Sequence, residues 1–177
     1  MDAGPTPQTP QKTQTNPMAP AYIETTIPSY YVARPSGSLS QAARQASTRD
    51  WWDGGCSGLD LCTSLETLDE AAKGEEQMAS AREALLESIR LLPVTDEVID
   101  LAAKLVSSGL VPAKAASDAM HIAVASVHRI DYLVTWNFKH IANPFLRDRM
   151  RVAVAEAGHE LPVMCSPEEL LQNDEDD

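Results

Sequence analysis

The sequence predicts an α/β protein, a three-layer α/β/α sandwich around a central, mostly parallel sheet. Short apolar runs suited to strands alternate with segments of helical periodicity. Several of these runs are not joined by the tight turns that pair antiparallel strands, so the intervening helices act as crossovers and set the strands parallel. No internal repeat is visible.

The 177 residues suffice for one domain with a real core and are too few for two comfortable ones. A hydrophobic fraction of 44% agrees with a globular chain, and a formal charge of -12 counts against an autonomous nucleic-acid binder. An enzyme stays open, because acids that hold a cation add to the same total. Cys56, Cys62 and Cys165 form neither a CxxC pair nor a metal-type spacing, which fits small buried hydrophobes in a reducing compartment. There is no bilayer-length apolar run and no signal-peptide pattern, so a cytoplasmic chain without a membrane segment is expected.

Residues 1–20 carry five prolines among Thr, Gln and Asn and read as a disordered leader. A single domain is expected over 21–171, followed by an acidic tail over 172–177. Tyr22 and Ile23 end a short buried strand, Glu24 stands at its carboxyl end, and Pro28 stops further ladder pairing. A polar loop over 34–40 leads to a helix over 41–52, ended by Gly54 and Gly55. A second strand is expected over 59–65, with Ser64 capping a helix that carries Glu66, Asp69 and Glu70 and stops at Gly74.

The helix expected from Glu75 to about Arg90 places Met78, Ala81, Leu85 and Ile89, with Leu92 beyond, on one face. Leu91 to Val94 reads as a short third strand. Thr95 is an N-cap, with Asp96 and Glu97 in the first turn of a helix whose stripe is Val98, Leu101, Ala102, Leu105 and Val106. Gly109 ends it. An Ala-rich helix follows over 113–128, then a strong strand over 130–135. Asn143 and Pro144 break the next turn, and a helix over 145–157 ends at Gly158. A last strand over 161–165 precedes Ser166-Pro167-Glu168-Glu169, an N-cap with Pro at N1 and a capping-box Glu.

Two acids and an amide stand where strand ends and helix starts meet. In open parallel sheets ligands bind beyond the carboxyl ends of the strands, which makes Glu24 a candidate site residue. Asp118 lies in a helix otherwise built of Ala, Ile, Val, Met and Ser, where an unpaired carboxylate is costly to bury. Either the helix N-terminus or His121 compensates it, or it ligates a cation beside Glu24 and Glu70. Glu66 and Glu70 share one helix face, and from spacing alone a solvated face is the better reading of such helix acids. Asn137 follows the strong strand and offers a carbonyl oxygen, although turn chemistry alone also accounts for it.

In order, YIET, LDEAAKG, SDAMHIAVA and YLVTWNFKHI resemble the PIN domain, and within it the VapC-like toxin ribonucleases, over Ala21 to about Leu171. The resemblance implies a parallel α/β/α sandwich whose acids bind Mg²⁺ or Mn²⁺ and hydrolyse RNA phosphodiesters. Glu24, Glu70 and Asp118 match the family's first, second and third acids and are the implied metal ligands. Asn137 stands where many members have a further Asp, and Thr25 at the hydroxyl position after the first acid. Glu24 is one methylene longer than the usual Asp, and Asn137 is neutral.

On this expectation Glu24, Glu70, Asp118 and Asn137 carry the chemistry. A divalent cation screens the carboxylates from an anionic phosphodiester and acidifies the attacking water. Thr25, Arg34, Lys139 and His140 are candidate substrate contacts, and Arg44, Arg49 and Lys73 also fall near the expected mouth; for any one cation scattered surface charge is the better explanation. Trp136 is a candidate for base stacking, while Trp51 and Trp52 fit core burial or an interface. The resemblance implies a cognate antitoxin partner, and a homodimer is a family habit that exposed Trp51 and Trp52 would suit. Two other readings are a catalytically weak PIN-like module that binds a protein or RNA partner, and a flavodoxin-like regulatory domain. The latter lacks a well-placed Lys and a phosphate-accepting Asp after the first strand.

Overall fold

The computed structural model describes residues 18–171 as five strands and eight α-helices. The expected tail over 172–177, and the leader apart from its last residues, lie outside the described residues. The leader boundary moves: β1 spans Ala19–Ile23, so Ala19 and Pro20 belong to the sheet. Pro20 sits near the strand start, where a missing N–H is tolerated, and its carbonyl accepts from Asp131 N at 3.1 Å.

A second correction follows at once. Thr26–Val32 is a helix, α1, and Pro28 lies in its first turn, where no intrahelical N–H bond is lost. The helix α2 spans Leu39–Asp50 and passes into a π-turn over Trp51–Gly55. After β2, Leu59–Ser64, come α3 over Leu65–Ala71 and α4 over Glu76–Leu86. The latter stops four residues before the expected Arg90, because Arg90–Leu92 is β3. Its buried side chains are Ala79 and Leu86, a face rotated from the expected one.

The helix α5, Asp96–Ser107, is capped by Thr95, whose hydroxyl accepts from Val98 N at 3.4 Å. Val98, Leu101 and Leu105 are buried as the stripe requires, each contributing about 2 kcal/mol by leaving water. Gly109 stops the helix at φ +72°, a conformation only glycine adopts without strain. The expected 113–128 helix divides into a 3₁₀ turn at Ala113–Ala115 and α6, Ala116–Val127. The remaining elements are β4 over Tyr132–Val134, α7 over Arg147–Glu156, β5 over Val163–Cys165 and α8 over Pro167–Leu170. Both halves of the Ser166/Glu169 capping box are formed.

All strand pairs are parallel, in the order β3-β2-β1-β4-β5. Side chains alternate across the sheet and feed two cores. Tyr22, Cys62, Leu133 and Met164 pack with α5, α6 and α7, while Ala21, Ile23 and Val134 pack with α1, the π-turn and Trp136. The molecule is thus the expected three-layer α/β/α sandwich. The chain runs outward from β1 to β3 and then returns to place β4 on the other side of β1. Beyond the carboxyl ends of β1 and β4, paired up to Ile23↔Val134, a crevice opens at the point where the strand order reverses. Among the described residues no helix is long and apolar enough to cross a membrane.

Candidate functional site

Each expected acid reaches this crevice from a different element. Glu24 follows β1 directly, and its carbonyl accepts from Ile27 N at 3.1 Å as the backbone turns into α1. Glu70 lies in the last turn of α3, Asp118 in the first turn of α6, and Asn137 just past β4. With Thr25, Thr26, Ser29, Tyr30 and Lys73 they line one concavity of about 340 Å³. A larger depression of about 710 Å³ lies at the opposite end of the sheet, between Arg129–Tyr132 and Gly158–Val163. The smaller one is where three acids and an amide from four segments converge, and chemistry needs that convergence more than volume.

Glu24 is only 3% exposed. Its two oxygens accept from the Thr26 hydroxyl and from Thr26 N, the latter at 3.0 Å. Thr26 Oγ1 in turn accepts from Trp136 N at 2.9 Å, which ties the turn after β1 to the turn after β4. Burial pushes the Glu24 pKa up, against the opposing pull of His121 and the hydrogen bonds from Thr26 and Thr135.

Glu70 has the opposite balance. Burial would raise its pKa, but hydrogen bonds from His121, Ser117 and Thr25 outweigh it and bring the value down to about 2. His121 Nε2 is 2.9 Å from Glu70 Oε2, and its Nδ1 is 2.8 Å from Tyr22 Oη. Tyr22 Oη also meets Ser64 and Thr67, at 2.7 and 3.2 Å. Burial alone would lower the His121 pKa; Tyr22, the Glu70 hydrogen bond and the Glu24 charge raise it to about 10. The imidazole thus bridges the Glu70 carboxylate and the Tyr22 hydroxyl, a setting that favours its protonated form.

Burial also raises the Asp118 pKa, and Glu70 adds to that, while Asn137, His121 and His140 oppose it. Of the three expected ways to compensate Asp118, the helix N-terminus is present, since Asp118 lies in the first turn of α6, while His121 is hydrogen-bonded to Glu70 and Tyr22 and acts on Asp118 only through its charge; a cation is the third.

The other expected residues divide. The Thr25 hydroxyl donates to Glu70, and Thr25 and Lys73 both line the concavity. His140 N donates to Asn137 Oδ1 at 3.0 Å, which fixes that loop. Arg34 pairs at the surface with Glu75 at 2.9 Å, and Arg49 donates to the carbonyls of Tyr31 and Ala33. Neither Arg34 nor the exposed Lys139 lines the concavity. Trp51 is fully buried and Trp52 half-buried, so the pair is not the exposed patch a dimer would use. Sequence reasoning missed Thr26, Ser117 and the bond between His121 and Glu70. The third joins residues 51 positions apart, which no local spacing signals.

Among the described residues no three His, Cys, Asp or Glu side chains form a ready-made metal-ligand group. The donor set nevertheless fits a hard divalent cation in type, being carboxylate oxygens with one amide. An ionised carboxylate offers about four lone-pair positions. Glu24 accepts two hydrogen bonds from Thr26 and one from Thr135, and Glu70 accepts three, so each retains about one lone-pair position. Glu24 and Asp118, whose ionisation burial disfavours, gain most from a nearby positive charge. No protein-family model matches the sequence, and no curated protein matches it.

Proposed function

We propose that the chain is a PIN-like, metal-dependent endoribonuclease that uses Mg²⁺ or Mn²⁺ to hydrolyse RNA phosphodiesters. The observation that carries this reading is the meeting of Glu24, Glu70, Asp118 and Asn137, from four separate segments, in one crevice where the order of a parallel sheet reverses. The resemblance of the ordered motifs supports it independently.

When bound, a divalent cation supplies the positive charge that lets an anionic phosphodiester approach carboxylates, and it lowers the pKa of an attacking water. Glu24, Glu70 and Asp118 are the residues that would hold it. Thr25, Ser117 and His121 fix Glu70 in its ionised form. Asn137, whose carbonyl oxygen is engaged by His140 N, orients the loop and contributes no charge. Lys73, on the wall of the crevice, attracts the phosphate.

The finer form of the proposal, a cytoplasmic toxin restrained by an antitoxin protein, rests on the resemblance alone. The neutral Asn137 and the burial of Glu24 favour a second reading, a weakly catalytic module that binds an RNA or protein partner. Incubation of end-labelled RNA with the purified chain and Mn²⁺, with and without chelator, separates the two. The nuclease reading expects endonucleolytic products only with metal, and the binding-module reading expects intact RNA in both.

A further inference from the structure

Beside the acids stands a group of side chains that metal ligation does not use. Trp136 is 6% exposed and anchored, its Nε1 donating to Thr48 Oγ1 at 2.8 Å. Phe138 packs edge-on against it at 6.1 Å between ring centroids, yet remains 40% exposed. The Arg44 guanidinium lies 5.4 Å from the Trp136 ring centroid and 5.5 Å from that of Phe138. Arg44 Nη1 also donates to Tyr30 Oη at 3.3 Å, and Tyr30 lines the acidic crevice. Asn137, between Trp136 and Phe138, lines it too, so the Phe138 Cα is about 3.8 Å from that of a crevice residue.

Two features of this group call for a ligand. Arg44 shares with most described Lys and Arg side chains the lack of an ion pair, but it is the one of them whose guanidinium lies over two aromatic rings. Its charge is held against aromatic rings. Phe138 leaves a large apolar ring in water, packed on the buried Trp136 and one residue along the chain from Asn137 of the polar site. A flat ring and a planar guanidinium presented together are the surfaces on which an unpaired base stacks.

Resting on the ribonuclease reading, we infer that Arg44 and Phe138 form a subsite for an unpaired nucleobase flanking the phosphate held at Glu24, Glu70 and Asp118. A base within a duplex has both faces covered by its neighbours and cannot enter it. The guanidinium supplies the positive charge that an acidic protein needs to retain a polyanion at this spot. Lys139, exposed and next to Phe138, adds to it.

The test uses a short single-stranded oligoribonucleotide carrying 2-aminopurine, mixed in stopped flow with the full chain in Mg²⁺. Fluorescence reads stacking, and gel analysis of the same samples reads cleavage. The wild type is expected to quench the probe. Phe138→Ala and Arg44→Ala each weaken binding about tenfold, the scale of one lost base stack, whereas Phe138→Tyr retains it. Melting temperatures of the variants confirm folding; Phe138→Ala, at an exposed ring, removes little core. An unquenched probe in the wild type overturns the inference, as does equal quenching in both alanine variants, which would leave the patch to a protein partner. Quenching without cleavage sinks the nuclease reading and leaves the subsite standing. Cleavage that both alanine variants perform with unchanged KM keeps the nuclease reading and overturns the subsite.

Discussion

His121 Nε2 lies 2.9 Å from Glu70 Oε2, so a fully buried imidazole in α6 holds the carboxylate at the end of α3. The same ring meets Tyr22 of β1 through Nδ1. One side chain therefore joins the sheet to the two helices that carry the second and third acids.

His121→Ala strands both partners. Removing one member of a buried, hydrogen-bonded pair costs about 3 kcal/mol at the lower end of the usual range, which suits a Glu70 side chain that is still 25% exposed. Tyr22→Phe removes one hydroxyl from the network and costs about 1 kcal/mol. Urea denaturation in chelator checks both, with His121→Ala expected to have the lower midpoint.

The pair also sets a pH profile for the metal-free protein. The folded His121 pKa, about 10, is above its ordinary 6.5, so its contribution is complete below 6.5 and is lost as pH rises through 10. The folded Glu70 pKa, about 2, is below 4.5, so its contribution is complete above 4.5 and is lost as pH falls through 2. Together they stabilise most between pH 4.5 and 6.5. Glu24 and Asp118 work against stability as pH rises past the ordinary carboxylate range, because burial makes their ionisation costlier in the fold than in the open chain. Melting temperature against pH in chelator is expected to decline on both sides of that window, and His121→Gln removes its share of the alkaline decline.

The thiols differ in reach. Burial pushes Cys62 and Cys165 up to about 12, so neither is a thiolate near neutrality. Cys56 is also raised by burial but is half-exposed. Iodoacetamide at pH 8 is expected to label Cys56 slowly and the other two only in denaturant, as mass spectrometry of the native and unfolded protein would read.

Periodicity and caps made much of this legible. The α5 stripe, the Thr95 cap, the Ser166/Glu169 box and the Gly109 stop each depend on residues within a few positions of one another. The helix α1 was hidden because Pro28 reads as a breaker unless it is known to occupy a first turn. Ala19 and Pro20 read as leader because their pairing partners, Leu59 and Asp60, are 40 residues away. For the site, the strand-end position of Glu24 and the odd placement of Asp118 were visible locally. The hydrogen bonds that tune them cross from α6 to α3 and from β4 to α1, and depend on a sheet order that alternation alone does not specify.

The central claim is that Glu24, Glu70 and Asp118 share one divalent cation. Calorimetric titration of Mn²⁺ into the metal-free wild type, beside Glu24→Gln, Glu24→Asp and Asp118→Asn, tests it most directly. The account predicts saturable binding to the wild type. It expects a loss of about tenfold or more in affinity for Glu24→Gln and Asp118→Asn, each of which removes a charged oxygen ligand, and an intermediate effect for Glu24→Asp, which keeps the charge and shortens its reach. Equal Mn²⁺ affinity in all four proteins, or none in the folded wild type, would contradict it.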